Sequence, residues 1–351
     1  MGAHTMEPAS SSWVTLLGDS DRRGGTTAAR NTAPKELLWK VTLGDSIRSS
    51  PVLAAGVVLV TCRDGHLYAF DARTGRERWS YATPASVHST PSLSGDLVLF
   101  GCDDGAVYAV DRTSGGLRWK AQSEGAIWTS PSVHRGTAYF GTHGGVFNAV
   151  DILSGRTQWS RRFDGRIHSS AYATDDRVYF GCSDGCVYAL ASSTGADAWR
   201  YQTGEGVTAS PAVKDGLVLV GSEDHVFYAL DAGSGAVRWR FQTGLGLASS
   251  PAVTAGKVFF GGKDGHVYAL AVADGREIWK SPSIRQITAA PLAGASLVCV
   301  QGFFGTTQAY DLNTGDTLWT ASLGGSLGST PVITDDTVYL ATYPGVIYAL
   351  R

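Results

Sequence analysis

Eight tryptophans stand forty residues apart: Trp39, Trp79, Trp119, Trp159, Trp199, Trp239, Trp279 and Trp319, without one insertion between them. Two more columns keep the same spacing. Pro51, Pro91, Pro131, Pro211, Pro251, Pro291 and Pro331 form one, with Ala171 the exception. Gly65, Gly105, Gly145, Gly185, Gly265, Gly305 and Gly345 form the other, with His225 the exception. A strict period near forty, with four short apolar runs per unit, reads as the blades of a propeller rather than as several unrelated domains.

In the second unit the runs are VHSTPSLS (87–94), DLVLFGCD (96–103), AVYAVD (106–111) and LRWKAQ (117–122), read as strands A to D. They are rich in Val, Leu and aromatics and are broken by turn residues. The B–C connection is Asp-Gly at 64–65, 104–105, 184–185 and 264–265. Read as a two-residue loop, it demands positive φ, which Gly accepts and Asp tolerates. The C–D connection, such as DRTSG at 111–115, is a second tight turn. Proline has no N–H and is confined to edges, so strand A is an edge strand and lines the channel. The tryptophan on strand D is expected to dock on the adjacent blade, its N–H meeting a turn carbonyl.

Seven complete units run from 47 to 319, and the eighth supplies strands A to C over 327–350. Its missing strand D is ELLWKV, residues 36–41, from the other end of the chain. Closure of this Velcro type removes an open edge and predicts a monomer. The fold class is therefore all-β: one eight-bladed propeller over 36–351, four antiparallel strands per blade. Residues 1–35 are polar and rich in small side chains, which predicts a disordered segment, in part an expression tag.

The net charge is −2 with no basic stripe, which argues against a nucleic-acid partner. No run of 18 apolar residues occurs, so no membrane span is expected. The N-terminus lacks a basic stretch followed by an apolar one, and is not a secretory signal. Cys62, Cys102 and Cys182 hold the same place in different units, and with Cys186 and Cys299 the total is odd. Free buried thiols follow, and with them the expectation of a cytoplasmic protein.

The pattern A-x-D-x-x-[ST]-G-x-x-x-W, seen as AFDARTGRERW (69–79), AVDRTSGGLRW (109–119) and ALDAGSGAVRW (229–239), resembles the tryptophan-docking motif of pyrroloquinoline-quinone-type repeats. The resemblance covers about nine-tenths of the chain. It implies an eight-bladed propeller similar to those of quinoprotein dehydrogenases, of an outer-membrane assembly lipoprotein and of sensor domains on kinases. Those dehydrogenases carry an adjacent Cys-Cys pair over the quinone, and this chain has none. A calcium-binding Glu, Asn and Asp set is not apparent at the strand-A starts, nor is a lipobox cysteine or a kinase signature. No cofactor is expected.

Fold demands are alike in every blade, so a site belongs where blades differ. Position 47 and its equivalents are uniformly apolar and read as packing. Position 48 and its equivalents are individual: Arg48, His88, Trp128, His168, Thr208, Ala248, Thr288 and Gly328. The B–C loops on the same face bring Arg63, Asp103, His143, Ser183, Glu223, Lys263, Phe303 and Tyr343, with Phe304 replacing the usual acid. One arc of blades 7, 8 and 1 to 4 thus gathers a candidate pocket at the channel mouth. Arg48, Trp128, Phe303, Phe304 and Tyr343 are its ligand-binding candidates. His88, His143, His168 and Asp103 are its acid–base candidates, with Asp103 placed to orient His88 or His143. No short His-x-x-x-His spacing suggests a metal. His66, His225 and His266 at B–C turns read as rim residues. Two function classes remain: a binding propeller that holds a small-molecule ligand or protein partner, which the absence of any catalytic motif favours, and a cofactor-independent cyclase, isomerase or hydrolase using histidine acid–base catalysis.

Overall fold

The computed structural model describes residues 33–302, 305–322, 329–334 and 336–351. Its strands form eight four-stranded antiparallel sheets, each in the order A-B-C-D. The second blade holds strands Ser92–Ser94, Leu97–Gly101, Ala106–Asp111 and Leu117–Gln122. The closing sheet joins the N-terminal strand Leu37–Thr42 to Val346–Leu350, then to Val338–Ala341 and Val332–Ile333. The closing pair is antiparallel, with Trp39 opposite Ala349 and Thr42 opposite Val346. Lys35 and Glu36 also donate to the carbonyl of Arg351, so the ordered domain begins before residue 36. Most of the expected disordered segment, residues 1–32, lies outside the described residues.

Two expectations need correction. Strand A is shorter than VHSTPSLS, because it begins only after the proline, at Ser92. The residues before Pro91 bond to side chains instead of to a ladder. Ser89 Oγ accepts from Gly101 N at 2.8 Å and donates to its carbonyl at 3.0 Å. Thr90 N donates to Ser130 Oγ of the next blade at 3.1 Å. The same cross-blade bond runs from Ser50 to Thr90, from Ser130 to Ser170, from Ser170 to Ser210, from Ser210 to Ser250 and from Thr330 to Ser50. A belt of hydroxyls thereby satisfies amides that a proline-started strand leaves over. Ala290 offers no hydroxyl and interrupts it.

The second correction concerns the Asp-Gly loops. Gly65 has φ +88°, but none of the four aspartates has positive φ. Gly65 N donates to Cys62 O, so the glycine follows a turn over 62–65. The aspartate instead fastens the loop: Asp104 Oδ1 accepts from Ala106 N at 3.0 Å and Oδ2 from Tyr108 Oη at 2.6 Å. The two-residue loop with two positive φ values lies between strands A and B, for example at Ala55 (+47°) and Gly56 (+72°).

Each tryptophan of the forty-residue column from Trp39 to Trp279 donates its Nε1–H to a C–D turn carbonyl of the next blade, as Trp119 does to Ile152 at 2.9 Å. The ring lies on the turn glycine. A Cβ at Gly155 would stand 2.6 Å from Trp119. Nearer the axis, the apolar residue of the position-47 column fills a space that only glycine leaves free: a Cβ at Gly101 would meet Ile127 at 2.3 Å. These contacts hold the blades in one rigid ring whose loops then carry individual side chains.

Candidate functional site at the channel mouth

The D–A and B–C connections do share a face, and the structure brings together seven of the nine side chains expected there. Trp128 is the hub. Its ring lies 4.4 Å from the His88 ring, 4.3 Å from that of His143 and 5.9 Å from that of His168. His143 and His168 are themselves 4.3 Å apart. Trp128 Nε1 donates to Asp103 Oδ1 at 2.8 Å, and the other Asp103 oxygen lies 3.3 Å from His88 Nε2. Arg48 sits with its guanidinium carbon 5.6 Å from the centroid of Trp128 and 5.6 Å from that of Tyr343. Phe303 and Phe304 lie outside the described residues.

Local sequence explains the convergence. Val87, Ile127 and Ile167 are fully buried and anchor each loop, so the next residue is delivered to the mouth. His143 N donates to Ala126 O and Asp103 N to Ser86 O, which bind each B–C loop to the loop before strand A beside it.

The arrangement differs from the expected pocket in two respects. Asp103 holds His88 and Trp128 rather than His143. The rings also pack against one another, His88 stacked on Trp128 and the others tilted or edge-on, rather than line an empty bowl. His88 keeps only 7% of its side chain exposed. His88 Nδ1, His143 Nε2 and Arg63 Nε are buried without hydrogen-bond partners.

Electrostatics follow from this crowding. Burial holds the His143 imidazole down at about 4, and the charges of His168, Arg166 and His88 act in the same direction. Burial also lowers His88, opposed by the Asp103 carboxylate and reinforced by Arg48 and Arg63. Burial, then Arg166, lowers His168. The three imidazoles are therefore neutral at pH 7.

Arg63 and Arg166 belong to this arc and were not among the sequence candidates. Arg63 Nη1 donates to Ser46 Oγ at 3.2 Å and lies 4.0 Å from Asp45. The signal for Arg166 was available two columns earlier: its equivalents are Ser46, Ser86, Ala126, Gly206, Gly246, Gln286 and Ser326, so it is the single cation in an otherwise neutral column. The opposite arc is self-contained, with Lys263 Nζ 2.6 Å from Glu223 and Thr208 Oγ1 donating to the same carboxylate at 3.2 Å. Of the rim histidines, His66 Nδ1 lies 3.3 Å from Asp64 Oδ1 and His266 Nδ1 2.7 Å from Ser281 O.

A quinone does not fit these residues. A planar group would have to enter between rings already in contact at 4.3–4.4 Å. Among the described residues no group of three His, Cys, Asp or Glu side chains is placed to hold a metal ion. The five cysteines are free and buried. Among the described residues no helix is long and apolar enough to cross a membrane.

A family model described as outer membrane protein assembly factor BamB matches residues 4–201 and 161–351. BamB of Burkholderia pseudomallei is 42% identical over 48 residues, a stretch that is 14% of this chain and 13% of that relative's length. Among solved structures, BamB from Moraxella catarrhalis superposes with a TM-score of 0.78 at 18% identity, over 90% of this chain and 99% of that one. A quinohemoprotein alcohol dehydrogenase from Pseudomonas putida superposes at 0.83 and 15% identity, over 97% of this chain and 80% of that one. At these identities the structural likenesses establish the shared propeller fold.

Proposed function

This chain belongs to the family of the outer membrane protein assembly factor BamB, and from that premise we propose that it is a binding propeller whose channel mouth docks a protein partner. The observation that carries this reading is Arg48. It is exposed, held against two aromatic rings, and has no acidic partner among the described residues. An arginine flanked by tryptophan and tyrosine is the composition that interface anchors favour. The name of the relatives, an assembly factor, supports a macromolecular partner rather than a metabolite.

Acid–base catalysis has one observation in its favour, the neutral imidazoles beside a carboxylate. It has the burial of His88 against it, since a general base must reach the proton that it takes. Docking is the better reading.

The test is recovery of a partner from the source cells with wild type, Arg48→Glu, Trp128→Ala and, as control, Leu153→Ala. Leu153 is 80% exposed on a C–D turn, on the far face. The same partner should remain with wild type and the control and be lost from both mouth variants. Equal retention by all four chains removes the docking site.

A further inference from the structure

We infer that the channel mouth is an oxyanion site, taking a carboxylate on Arg48 with uptake of a proton by the adjacent histidines. The inference rests on the docking reading and specifies the chemistry of what docks.

Count first the charges at the mouth. Arg48, Arg63 and Arg166 stand on this arc, against Asp45 and Asp103. Both Asp103 oxygens are engaged, one by Trp128 and one by His88. Asp45 Oδ1 accepts from the backbone and hydroxyl of its neighbour Ser46, at 2.5 and 3.1 Å. Asp103 is committed through both oxygens and Asp45 through Oδ1, while Arg48 has no acidic partner among the described residues, which leaves a planar fork of donors for a planar carboxylate.

The second observation is independent of Arg48. His88 is more than nine-tenths buried, and its Nδ1 has no partner. His143 Nε2 and Arg63 Nε are also buried atoms without partners, on side chains that are themselves partly exposed. Unmade hydrogen bonds of buried groups are rare and costly, and a cluster of them at one mouth marks a place that a ligand completes. A neutral imidazole has one donor, whereas the protonated ring has two. A carboxylate held outside the rings on the exposed Arg48 therefore favours an imidazolium through its charge, without having to reach the buried atoms.

The coupling follows from what surrounds each ring. His88 faces Asp103, Arg48, Arg63, Asp45 and His143. His143 faces His168, Arg166 and His88, and His168 faces Arg166 and His143. Most of these neighbours are cationic or become so, and they disfavour protonation of the free protein. A carboxylate on Arg48 offsets that repulsion, so binding draws in a proton.

The probes are benzoate, as a free acid, and a capped Gly-Glu-Gly peptide, as the side chain of a partner. The full chain is titrated at about pH 7.5 and about pH 5.5, where a histidine of shifted affinity changes charge. Binding is followed by calorimetry in buffers of unlike ionisation enthalpy and by the histidine ring proton resonances. Wild type should bind at least about threefold tighter at the lower pH and take up protons, as linkage requires of a group whose affinity for protons rises on binding. Arg48→Met should weaken binding by about tenfold or more, the loss expected of one charge-assisted contact. His143→Gln should still bind but with the pH dependence reduced. Resonances of His66, His134, His225 and His266 should stay in place. Binding of benzoate alone assigns the site to a free acid, and binding of both probes assigns it to a side chain as well. Either result supports the carboxylate site. Equal binding by wild type and Arg48→Met, an affinity that ignores pH, or no binding of either probe overturns it. The docking reading fails separately, if partner recovery is indifferent to Trp128→Ala while benzoate still binds.

Discussion

Trp119 and Trp128 stand on either side of one loop and serve different ends. Trp119 gives its Nε1–H to the carbonyl of Ile152 and lays its ring on Gly155. Trp128 gives its Nε1–H to the carboxylate of Asp103 and lays its ring among three histidines. Every blade can offer a backbone carbonyl and a turn glycine, so the first contact repeats around the ring. An Asp103 is offered by one blade alone, so the second does not. The acceptor therefore distinguishes scaffold from site where the donor is the same.

The widest separation between the two regions is expected from truncating each tryptophan. Trp119 is 8% exposed and fills a blade interface, so Trp119→Ala should lower stability by about 3–5 kcal/mol. Urea denaturation measures the loss. Trp128 is partly exposed and makes ring contacts with a single hydrogen bond, so Trp128→Ala should cost only about 1–2 kcal/mol while abolishing partner recovery. If the two substitutions destabilise equally, the mouth is part of the scaffold and the contrast between the regions collapses.

How much of this was legible in the sequence follows the same division. The ring was readable because its contacts repeat: a period of forty in Trp, Pro and Gly leaves few architectures open, and the circular closure follows from a missing eighth strand D. Composition of the site arc was readable as departure from the period, which is how Arg48, His88, Trp128, His143 and His168 were found. Two things were not. Whether the arc forms an open bowl or a stack depends on side-chain volumes converging from four blades, and no local pattern encodes that sum. The partner of Asp103 depends on which neighbour reaches it first, and Trp128 on the next blade does so at 2.8 Å. The Asp-Gly loops failed for a subtler reason: Asp-Gly fits two turn types, and the side-chain bond from Tyr108 to Asp104 selects the one with a single positive φ.

A smaller and graded difference should appear with acid. The His143 imidazole is held at about 4, against an ordinary value of about 6.5. Between those values the unfolded chain binds a proton that the folded chain refuses. Stability is therefore full above pH 6.5 and is lost as pH falls towards 4. The loss from this group is about 1 kcal/mol once solvent screening of a half-exposed ring is allowed for. Thermal melting from pH 7 to pH 5 should show it, and His143→Gln should flatten the curve. Trp119→Ala should leave the slope unchanged, because its surroundings hold no titrating group of this kind. An equally steep slope in His143→Gln would place the acid sensitivity outside the mouth.

The smallest effect sharpens the comparison from the scaffold side. His225 occupies the column of Gly65, Gly105 and Gly185 and is held at φ +70°. A side chain in that region is strained by about 1–2 kcal/mol, whereas glycine is at ease there but loses more freedom on folding. The difference favours His225→Gly by about 0.5 kcal/mol, a rise in melting temperature of about 1 °C. The bonds at this turn survive the change, because Gln242 and Thr243 donate to the His225 backbone carbonyl rather than to its ring. The reverse exchange, Gly185→His, should cost more than His225→Gly gains, since φ there is +87° and a Cβ would stand 3.2 Å from the backbone carbonyl oxygen of Glu205. Neither exchange should move benzoate affinity. A His225→Gly protein that is less stable than wild type, or that binds benzoate differently, would show that this histidine belongs to the individual part of the ring and not to its repeating part.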